Sequence, residues 1–195
     1  MAKQQAAQLL FNHLDLLTSL ESTQPVLDLA CGDGRNGLVL AESGVDVVFA
    51  DKSESALAGI DAHLTATSLP GSCWQVDLEV ADINPLAERQ FSAILGFRYL
   101  HRPLFPALIA ATMPTGLVIY ETFTTENRRF GRPNNPNFLL QPGELEAIFQ
   151  DWEIIYSFEG ILKKPERAVA QIVARKPGIG NTLCLERKST GLGRP

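Results

Sequence analysis

The fold of this chain is decided by the stretch Val26-Leu27-Asp28-Leu29-Ala30-Cys31-Gly32-Asp33-Gly34-Arg35-Asn36-Gly37. It has the pattern of an apolar strand that runs into a glycine turn and then into a helix. Glycines in such a turn let the backbone approach a ligand and expose N–H groups at the start of the helix. The stretch therefore predicts a ligand site at the end of the first strand of an α/β fold.

The charge in this strand indicates what kind of ligand binds there. The spacing Gly32-x-Gly34-x-x-Gly37 matches a dinucleotide fingerprint, and Asp51 lies nineteen positions beyond Gly32 (51 − 32), near the spacing of a ribose-binding acid. However, the carboxylate of Asp28 inside the strand would repel an anionic pyrophosphate and attract a cation. The stretch therefore favours a cationic ligand, with NAD(P) binding as the alternative.

Composition and charge limit the class of protein. The chain has 195 residues, of which 45% are hydrophobic, so it can bury one substantial core. It carries 22 acidic and 17 basic residues, a net charge of −5. This balance argues against a surface that grips a phosphate backbone, so we expect no nucleic-acid partner.

The cysteines and the apolar runs bear on metal binding and location. The three cysteines are far apart and form no CxxC pair, which predicts reduced thiols and no metal site. The first residues lack the apolar core of a signal peptide, and no apolar run approaches the ~18 residues of a membrane span. The sequence predicts a soluble cytoplasmic protein with no membrane partner.

Alternating strands and helices fill the first two thirds of the chain. An amphipathic helix over residues 4–20 is predicted ahead of five strands at 26–30, 45–50, 72–76, 91–97 and 117–122. The helices between them are predicted at 35–43, 53–67 and 103–112, and residues 113–116 as a turn. This alternation predicts a mostly parallel sheet that is covered on both faces.

The last third breaks the alternation. Residues 123–141 are too polar for a strand and too rich in proline for a helix, and a short helix follows over 142–149. Strands at 152–158 and 168–174 are joined by 160–167, which is too short for a parallel crossover, so an antiparallel hairpin is predicted. We expect a single domain over 1–176 that includes the helical segment 1–24, and a flexible tail over 177–195.

These features together resemble the class I S-adenosylmethionine-dependent methyltransferases over roughly residues 25–176. The resemblance is closest to small bacterial methyltransferases of the tellurite-resistance type, whose first motif reads Gly-x-Gly-Arg-Asn, as Gly32 to Asn36 do here. The expected architecture is an α/β, Rossmann-like three-layer sandwich with a seven-stranded, mostly parallel sheet and an antiparallel C-terminal hairpin. One departure is Ala30, where many of these enzymes have glycine.

The resemblance implies S-adenosylmethionine as cofactor and assigns it a set of residues. Asp28 would orient the amino group, Asp51 would accept from the ribose hydroxyls, and Asp77 with the Leu78 backbone would meet the adenine edge. Arg35 and Asn36 either bind the methionine carboxylate or are surface residues at a helix start. The expected cofactor-binding residues are Asp28, Ala30, Cys31, Gly32, Gly34, Arg35, Asn36, Asp51, Lys52, Asp77, Leu78, Gly96 and Phe97.

Candidate catalytic residues follow the fourth predicted strand. Arg98, Tyr99 and His101 lie where ligands meet the carboxyl ends of parallel strands. Arg98 is expected to orient the substrate, and His101 either titrates in catalysis or caps a helix. A base is needed only if the nucleophile arrives protonated. Gly96-Phe97-Arg98-Tyr99 stands where enzymes that methylate nitrogen typically carry Asn or Asp, Pro-Pro and an aromatic residue.

The expected reaction is therefore methylation of a small molecule at oxygen, sulfur or a related soft nucleophile. Glu121, Arg128 and Arg132 are the predicted substrate-binding residues, with residues 123–141 as an arginine-bearing lid anchored by Phe130 and Phe138. The alternative for this segment is a solvated surface loop. Two other functions stay open: an NAD(P)-binding oxidoreductase, and a cofactor-binding module without turnover.

Overall fold

The computed structural model describes residues 5–179. The helical segment predicted at the N-terminus lies within this range from residue 5 onward. The tail predicted from residue 177 falls outside the described residues from residue 180 onward.

One sheet of seven strands organises the described chain. Its strands are β1 (Val26–Leu29), β2 (Val47–Asp51), β3 (Ser72–Gln75), β4 (Phe91–Phe97), β5 (Thr112–Phe123), β6 (Glu153–Lys163) and β7 (Glu166–Arg175). The spatial order is β3-β2-β1-β4-β5-β7-β6. The first five strands are parallel, and β7 pairs antiparallel with both β5 and β6. The predicted α/β architecture with an antiparallel C-terminal hairpin is confirmed.

Six α-helices of the described chain cover the two faces of the sheet. They are α1 (Gln8–Asn12), α2 (Leu14–Thr18), α3 (Gly37–Glu42), α4 (Glu54–Thr67), α5 (Phe105–Ala111) and α6 (Glu144–Ile148). One apolar cluster packs α5 and α6 against the sheet, and a second packs α1 to α4 against the opposite face. The chain therefore forms three layers. None of the described helices is long and apolar enough to cross a membrane.

Two of the predicted helices have different bounds. The single helix predicted over 4–20 is broken at His13, where φ is −128° and ψ is 18°. The break brings Leu10 and Leu17, one from each short helix, into the core. The helix predicted from residue 35 begins at Gly37, because the glycine turn continues through Asn36.

The turn predicted at 113–116 is wrong, because these residues are part of β5. The pairing with β4 shifts register between Phe91 and Ala93, so the extra residues form an irregularity inside the strand. The N–H of Thr115 donates to the carbonyl of Lys176 at 3.0 Å, and the N–H of Lys176 donates to Gly116 at 2.9 Å. The residue that follows β7 thus supplies the backbone partners of this segment, in which Thr115 has a left-handed φ of 65°.

The C-terminal hairpin is longer than its sequence suggests. Most of the predicted joint at 160–167 is strand, and only Lys164 and Pro165 lie between β6 and β7. The pair Lys163 and Glu166 closes the ladder. Since β7 inserts between β5 and β6, its side chains lie beside those at the carboxyl end of β5.

Gly96 in β4 is required by an aromatic ring on the neighbouring strand. A Cβ atom at this position would lie 2.1 Å from Cε2 of Tyr120. The Tyr120 ring is fully buried, and its hydroxyl donates to the carbonyl of Tyr99 at 2.9 Å. Gly96 therefore makes room for the ring that fixes the chain just after β4.

We expect Gly96→Ala to lower the free energy of unfolding by about 1–3 kcal/mol, the usual range for overpacking a rigid core. Urea unfolding at neutral pH measures the change. Gly59→Ala is the matched control, because Gly59 lies inside α4 with no atom within 4 Å of the added Cβ. That variant is expected to gain about 0.5–1 kcal/mol from helix propensity. Equal effects in the two variants would contradict the packing explanation.

Candidate functional site

The turn after β1 has a left-handed backbone at alternate positions. The φ angles of Ala30, Gly32 and Gly34 are 51°, 56° and 73°. The N–H of Cys31 donates to the carbonyl of Ala50 on β2 at 3.0 Å, which fixes the start of the turn. A left-handed alanine costs about 1 kcal/mol more than a glycine. Ala30 therefore carries a backbone cost that a glycine at this position would avoid.

Asp28 is a buried carboxylate on the α3 side of the sheet. Its side chain is 2% exposed, and its Oδ2 accepts from the N–H of Gly37 at 2.9 Å. A Cβ at residue 37 would lie 2.7 Å from that oxygen and 2.5 Å from the Phe49 ring, so only glycine permits the contact. Burial raises the pKa of Asp28 to about 7, although the Gly37 N–H and the charge of Arg35 oppose the shift. This carboxyl therefore changes its charge near neutral pH.

A narrow cleft of about 120 Å³ opens beside Asp28. It brings together seven of the predicted cofactor residues: Asp28, Ala30, Cys31, Gly32, Arg35, Asn36 and Phe97. Asn36 is 4% exposed, and its Oδ1 accepts from the N–H of Ala7 at 2.9 Å. The alternative that Asn36 is a surface residue is therefore wrong. Its side chain ties the N-terminal segment to the edge of this cleft.

Asp51 is held in place by two backbone N–H groups at the end of β2. Its Oδ2 accepts from Gly32 at 2.8 Å, and its Oδ1 accepts from Ser53 at 2.9 Å. Ser53 also caps α4, because its hydroxyl accepts from the N–H of Ala56 at 3.3 Å. A carboxylate oxygen has two lone pairs, so each oxygen keeps one for a ligand. Asp51 is thus an oriented acceptor.

A second cleft of about 240 Å³ lies on the other side of Asp51. Its lining brings together five predicted cofactor residues, namely Ala30, Asp51, Lys52, Asp77 and Leu78. Val76, Glu79 and Tyr99 complete it. The two clefts share Ala30, so the glycine turn separates a small polar cleft from a wider one.

The three predicted catalytic residues do not form one cluster. Tyr99 lines the cleft of Asp51, whereas His101 lines two neighbouring clefts of about 530 and 340 Å³ together with Glu79. Arg98 lies instead beside β5, where its N–H donates to the Glu121 carbonyl at 2.8 Å. The three residues were grouped because they are close in sequence. They lie apart in the structure because the chain changes direction at Arg98, whose φ is 58°.

Glu121 is a buried acid at the carboxyl end of β5. Its Oε2 accepts from Nε2 of Gln171 at 2.6 Å, and Nη2 of Arg167 lies 3.6 Å from its Oε1. The hydroxyl of Tyr156 donates to Oε1 of Gln171 at 3.2 Å. Arg167, Gln171 and Tyr156 belong to the β6–β7 hairpin, and the antiparallel register sets Gln171 directly opposite Glu121. A polar residue inside the apolar run of β7 was the sequence feature that could have indicated this group.

Positive charge is in excess around Glu121. Burial and the charges of Arg35 and Arg167 lower the pKa of Arg98, and Glu121 opposes the shift. The Nε of Arg167 is buried without a hydrogen-bond partner among residues 5–179. The guanidinium groups of Arg98 and Arg167 thus share the field of Glu121, an arrangement that an anion would stabilise.

The predicted lid is a packed loop between β5 and α6. It contains 3₁₀ turns at Thr125–Arg129 and Pro136–Phe138. Phe138 is 46% exposed and does not anchor it; the anchors are the buried Leu139 and Leu140. A further anchor is Asn127, whose Oδ1 accepts from the N–H of Ala168 at 3.1 Å.

The two predicted substrate arginines of this loop do not reach the clefts described above. The side chains of Arg128 and Arg132 are exposed and line none of them. Asn127 nevertheless fixes the backbone near Arg132, because its Nδ2 donates to the Arg132 carbonyl at 3.3 Å. The loop is ordered around the site while its arginines face outward.

Arg102 fastens the second half of this loop to the segment after β4. Its guanidinium donates to both carboxylate oxygens of Glu144 and to the carbonyls of Asn137 at 3.2 Å and Leu139 at 2.9 Å. The pairing raises the pKa of Arg102 and lowers that of Glu144. This bidentate contact was not predicted, because the two residues are 42 positions apart.

The donor set in this part of the chain suits an organic ligand. Within residues 5–179 no group of three or more His, Cys, Asp and Glu side chains is arranged to hold a metal ion. Burial raises the pKa of the Cys31 thiol, so this cysteine beside the turn stays protonated. The left-handed turn, the two oriented acids and the adjoining clefts fit a ligand with a cationic group at one end and a nucleoside at the other.

Comparisons with known proteins identify similar chains. A family model described as "Tellurite resistance protein TehB" matches residues 5–172. The "Probable S-adenosyl-L-methionine-dependent methyltransferase TehB" of Haemophilus influenzae (strain 10810) is 27% identical over 150 residues, which are 73% of this chain and 51% of that relative. "Hemagglutinin 1" of Eikenella corrodens is 27% identical over 156 residues, 76% of this chain and 51% of that relative. The chain spans about half the length of these curated relatives.

A solved structure shares the fold. The crystal structure of TehB from Haemophilus influenzae superposes with a TM-score of 0.69 at 23% identity, covering 85% of this chain and 62% of that chain. The seven-stranded sheet with its antiparallel end is therefore the architecture of a known group of proteins.

Asp28→Asn should change how stability depends on pH. Because the folded pKa of Asp28 lies near 7, above its usual 3.8, the folded protein holds a proton that the unfolded chain releases. Wild-type stability should therefore fall as pH rises from about 4 to 7. The variant has no carboxyl at residue 28 and so lacks this loss. Between pH 5 and pH 8 its unfolding free energy should therefore fall by at least about 1 kcal/mol less than that of the wild type.

Urea unfolding at the two pH values measures this difference. Asp46→Asn, which changes an exposed acid, is the matched control and should follow the wild type. Parallel pH profiles for wild type and Asp28→Asn would show that the Asp28 carboxyl has an ordinary pKa.

Proposed function

Since the chain belongs to the family of the tellurite resistance protein TehB, we propose that it is an S-adenosylmethionine-dependent methyltransferase that acts on a small anion at a soft nucleophilic atom. The resemblance to this group, predicted from the sequence, is confirmed at the level of the family. The observation that carries the proposal is the pair of oriented acids, Asp28 and Asp51, on either side of the glycine turn.

These acids divide the cofactor between the two clefts. Asp28 and the backbone of Ala30 to Gly32 would hold the methionine end, where an ammonium compensates a buried carboxylate. Asp51 would accept from the ribose hydroxyls, and Asp77 with Leu78 would border the adenine. The charge of Arg35 at the rim would suit the methionine carboxylate. Gly34, Lys52, Gly96 and Phe97 stay predicted cofactor-binding residues.

The NAD(P) alternative is less well supported. A buried acid at Asp28 disfavours a pyrophosphate on the turn, and the antiparallel β7 between β5 and β6 departs from the strand order 3-2-1-4-5-6 of dinucleotide-binding sheets. A cofactor-binding module without turnover is the other alternative, and an assay of methyl transfer separates it from an enzyme.

The chemistry requires positioning above all. When bound, S-adenosylmethionine supplies a methyl group that is activated by attachment to a sulfonium sulfur. The chain holds the nucleophile in line with that methyl group and excludes water from it. An anionic nucleophile needs no base, so neither His101 nor Glu121 has to remove a proton. Gln171 keeps the Glu121 carboxylate aligned, and that carboxylate holds Arg167 in place.

The excess of guanidinium charge supports an anionic substrate. Arg98 and Arg167 lie next to a carboxylate that cannot neutralise both of them. The family description names tellurite, an oxyanion of a heavy chalcogen with a soft lone pair, and such an ion fits this arrangement. Tellurite is thus the first substrate to test, beside small thiols and phenols as neutral comparisons.

Incubation with methyl-labelled S-adenosylmethionine tests the proposed activity. The tellurium lone pair would form the bond to the labelled methyl group as the sulfonium bond breaks and S-adenosylhomocysteine leaves, so label should pass to a methylated tellurium oxyanion when tellurite is present and should not appear when it is omitted. If no labelled product forms with any of the offered anions or in a whole metabolite extract, the result would favour the binding module. A single domain over 1–176, a cytoplasmic location and the absence of nucleic-acid and membrane partners stay predictions.

The affinity for the cofactor product should depend on pH through Asp28. Between pH 5.5 and 7 the ammonium of S-adenosylhomocysteine is charged while Asp28 gains its charge, so binding should tighten by about tenfold. Calorimetric titration measures the dissociation constant at each pH. Asp28→Asn should weaken binding at pH 7 and flatten the profile. A steep profile in that variant would assign the titration to another group.

Arg98→Gln should raise the Michaelis constant for the anion at least tenfold, the scale of one lost charge-assisted contact of about 1.5–3 kcal/mol. The dissociation constant of S-adenosylmethionine should stay within about twofold. Arg129→Gln is the matched control, since Arg129 is exposed and pairs with Glu126. Arg132→Gln tests the lid separately: a raised Michaelis constant would mean that the loop closes over the substrate, and an unchanged one would remove Arg132 from the site.

A further inference from the structure

The hydroxyl of Tyr99 is buried in the wider cleft without a hydrogen-bond partner. It is one of two side-chain polar atoms in this state among residues 5–179, the other being Nε of Arg167. Buried polar groups in native proteins are almost always paired, so each exception calls for a physical reason. A ligand that completes the pairing when it binds is such a reason.

The chain keeps Tyr99 in this position by rigid contacts. The Tyr120 hydroxyl donates to the Tyr99 carbonyl at 2.9 Å, and Tyr120 is buried against Gly96, with its ring tilted at 49° to that of Phe105 and the centroids 5.5 Å apart. The ring of Tyr99 packs on the apolar cluster beneath α5 and α6. Tyr99 therefore cannot turn away to relieve its hydroxyl without disturbing the core.

The groups around this hydroxyl are acceptors. Asp51, Asp77 and Glu79 surround it, and burial together with the charge of Glu79 raises the pKa of Tyr99, so the phenol stays protonated. The Glu79 carboxylate raises that pKa both by its charge and as an acceptor near the hydroxyl, although the two side chains do not meet the geometry of a full hydrogen bond. The N–H of Glu79 donates to Oδ1 of Asp77 at 2.9 Å, and this hydrogen bond orients the Asp77 carboxylate.

A nucleoside needs both kinds of partner in this cleft. Ionised carboxylates only accept, so Asp51 and Asp77 can satisfy the ribose hydroxyls and the exocyclic amine but not the ring nitrogens of a purine. Those nitrogens are acceptors and require donors, of which the Leu78 backbone N–H is one. Tyr99 lines the same cleft, and its neutral phenol is a second donor.

We propose that the Tyr99 hydroxyl donates a hydrogen bond to a ring nitrogen of the cofactor's adenine. The proposal rests on the proposed function, and it replaces the catalytic role predicted for Tyr99 with a role in positioning and specificity. Tyr99 selects a purine with a ring acceptor at this point and moves no proton during methyl transfer.

Tyr99→Phe tests this role by two independent readouts. Removal of an unpaired buried hydroxyl should leave the melting temperature of the ligand-free protein equal or higher. The same change should weaken S-adenosylhomocysteine binding about tenfold by calorimetry, because the bound state loses its donor. Tyr156→Phe is the matched control for stability, since it removes a hydroxyl that has a partner in Gln171 and should lower the melting temperature.

Analogues of S-adenosylhomocysteine that each lack one ring nitrogen identify the contact. One of the 1-deaza, 3-deaza and 7-deaza compounds should bind the wild type about tenfold more weakly and should bind Tyr99→Phe no more weakly than the parent compound does. Loss of affinity for every analogue in both proteins alike would overturn the proposal.

Three further outcomes separate this proposal from the proposed function. If the wild type binds S-adenosylhomocysteine and the affinity of Tyr99→Phe differs from it by less than twofold, the role of Tyr99 alone would be overturned. A lowered melting temperature in that variant together with unchanged affinity would assign the hydroxyl to a structural contact in solution. A wild type that binds no S-adenosylhomocysteine would overturn both proposals.

Discussion

The hydrogen bond from the Gly37 N–H to the buried carboxylate of Asp28, 2.9 Å long, fixes the geometry on which the site depends. It joins the end of β1 to the first residue of α3, so both ends of the glycine turn between them are held in place. The contact requires an acid inside the strand and no side chain at residue 37. A carboxylate in this environment remains costly to ionise, and a bound cation would remove that cost.

Charge of opposite sign collects at two neighbouring points of the sheet edge. Acids gather where β2 and β3 end, around the cleft that Asp51 and Asp77 line. Arginines gather where β5 ends, because the hairpin lays Arg167 beside Glu121 and the turn at Arg98 brings in a second guanidinium. The antiparallel strand thus determines which side chains lie at this edge, since a parallel seventh strand would present different ones. A cofactor with donors at one end and an anionic substrate at the other would match this division.

Local patterns in the sequence were enough to predict the strands, the glycine turn and the acids that orient it. The strand Phe91–Phe97 and the helix capped by Ser53 have the expected bounds or nearly so, because alternation, run length and capping are properties of neighbouring residues. The break at His13 and the irregular start of β5 were missed, since both depend on partners distant in sequence. For the same reason the order of residues grouped Arg98, Tyr99 and His101, whereas in the structure Tyr99 and His101 line different clefts and Arg98 lies beside β5.

The central claim is that Asp28 is tuned by burial to meet a cation at the glycine turn. Carbon-13 NMR of the protein with labelled aspartate follows the titration of this carboxyl directly, and Asp28→Asn assigns its resonance. We expect a pKa near 7 in the free protein and a pKa at least one unit lower when S-adenosylhomocysteine is bound, because the ammonium stabilises the charged form. An Asp28 carboxyl that titrates near 3.8 in the free protein, or whose pKa does not fall on binding, would contradict the account.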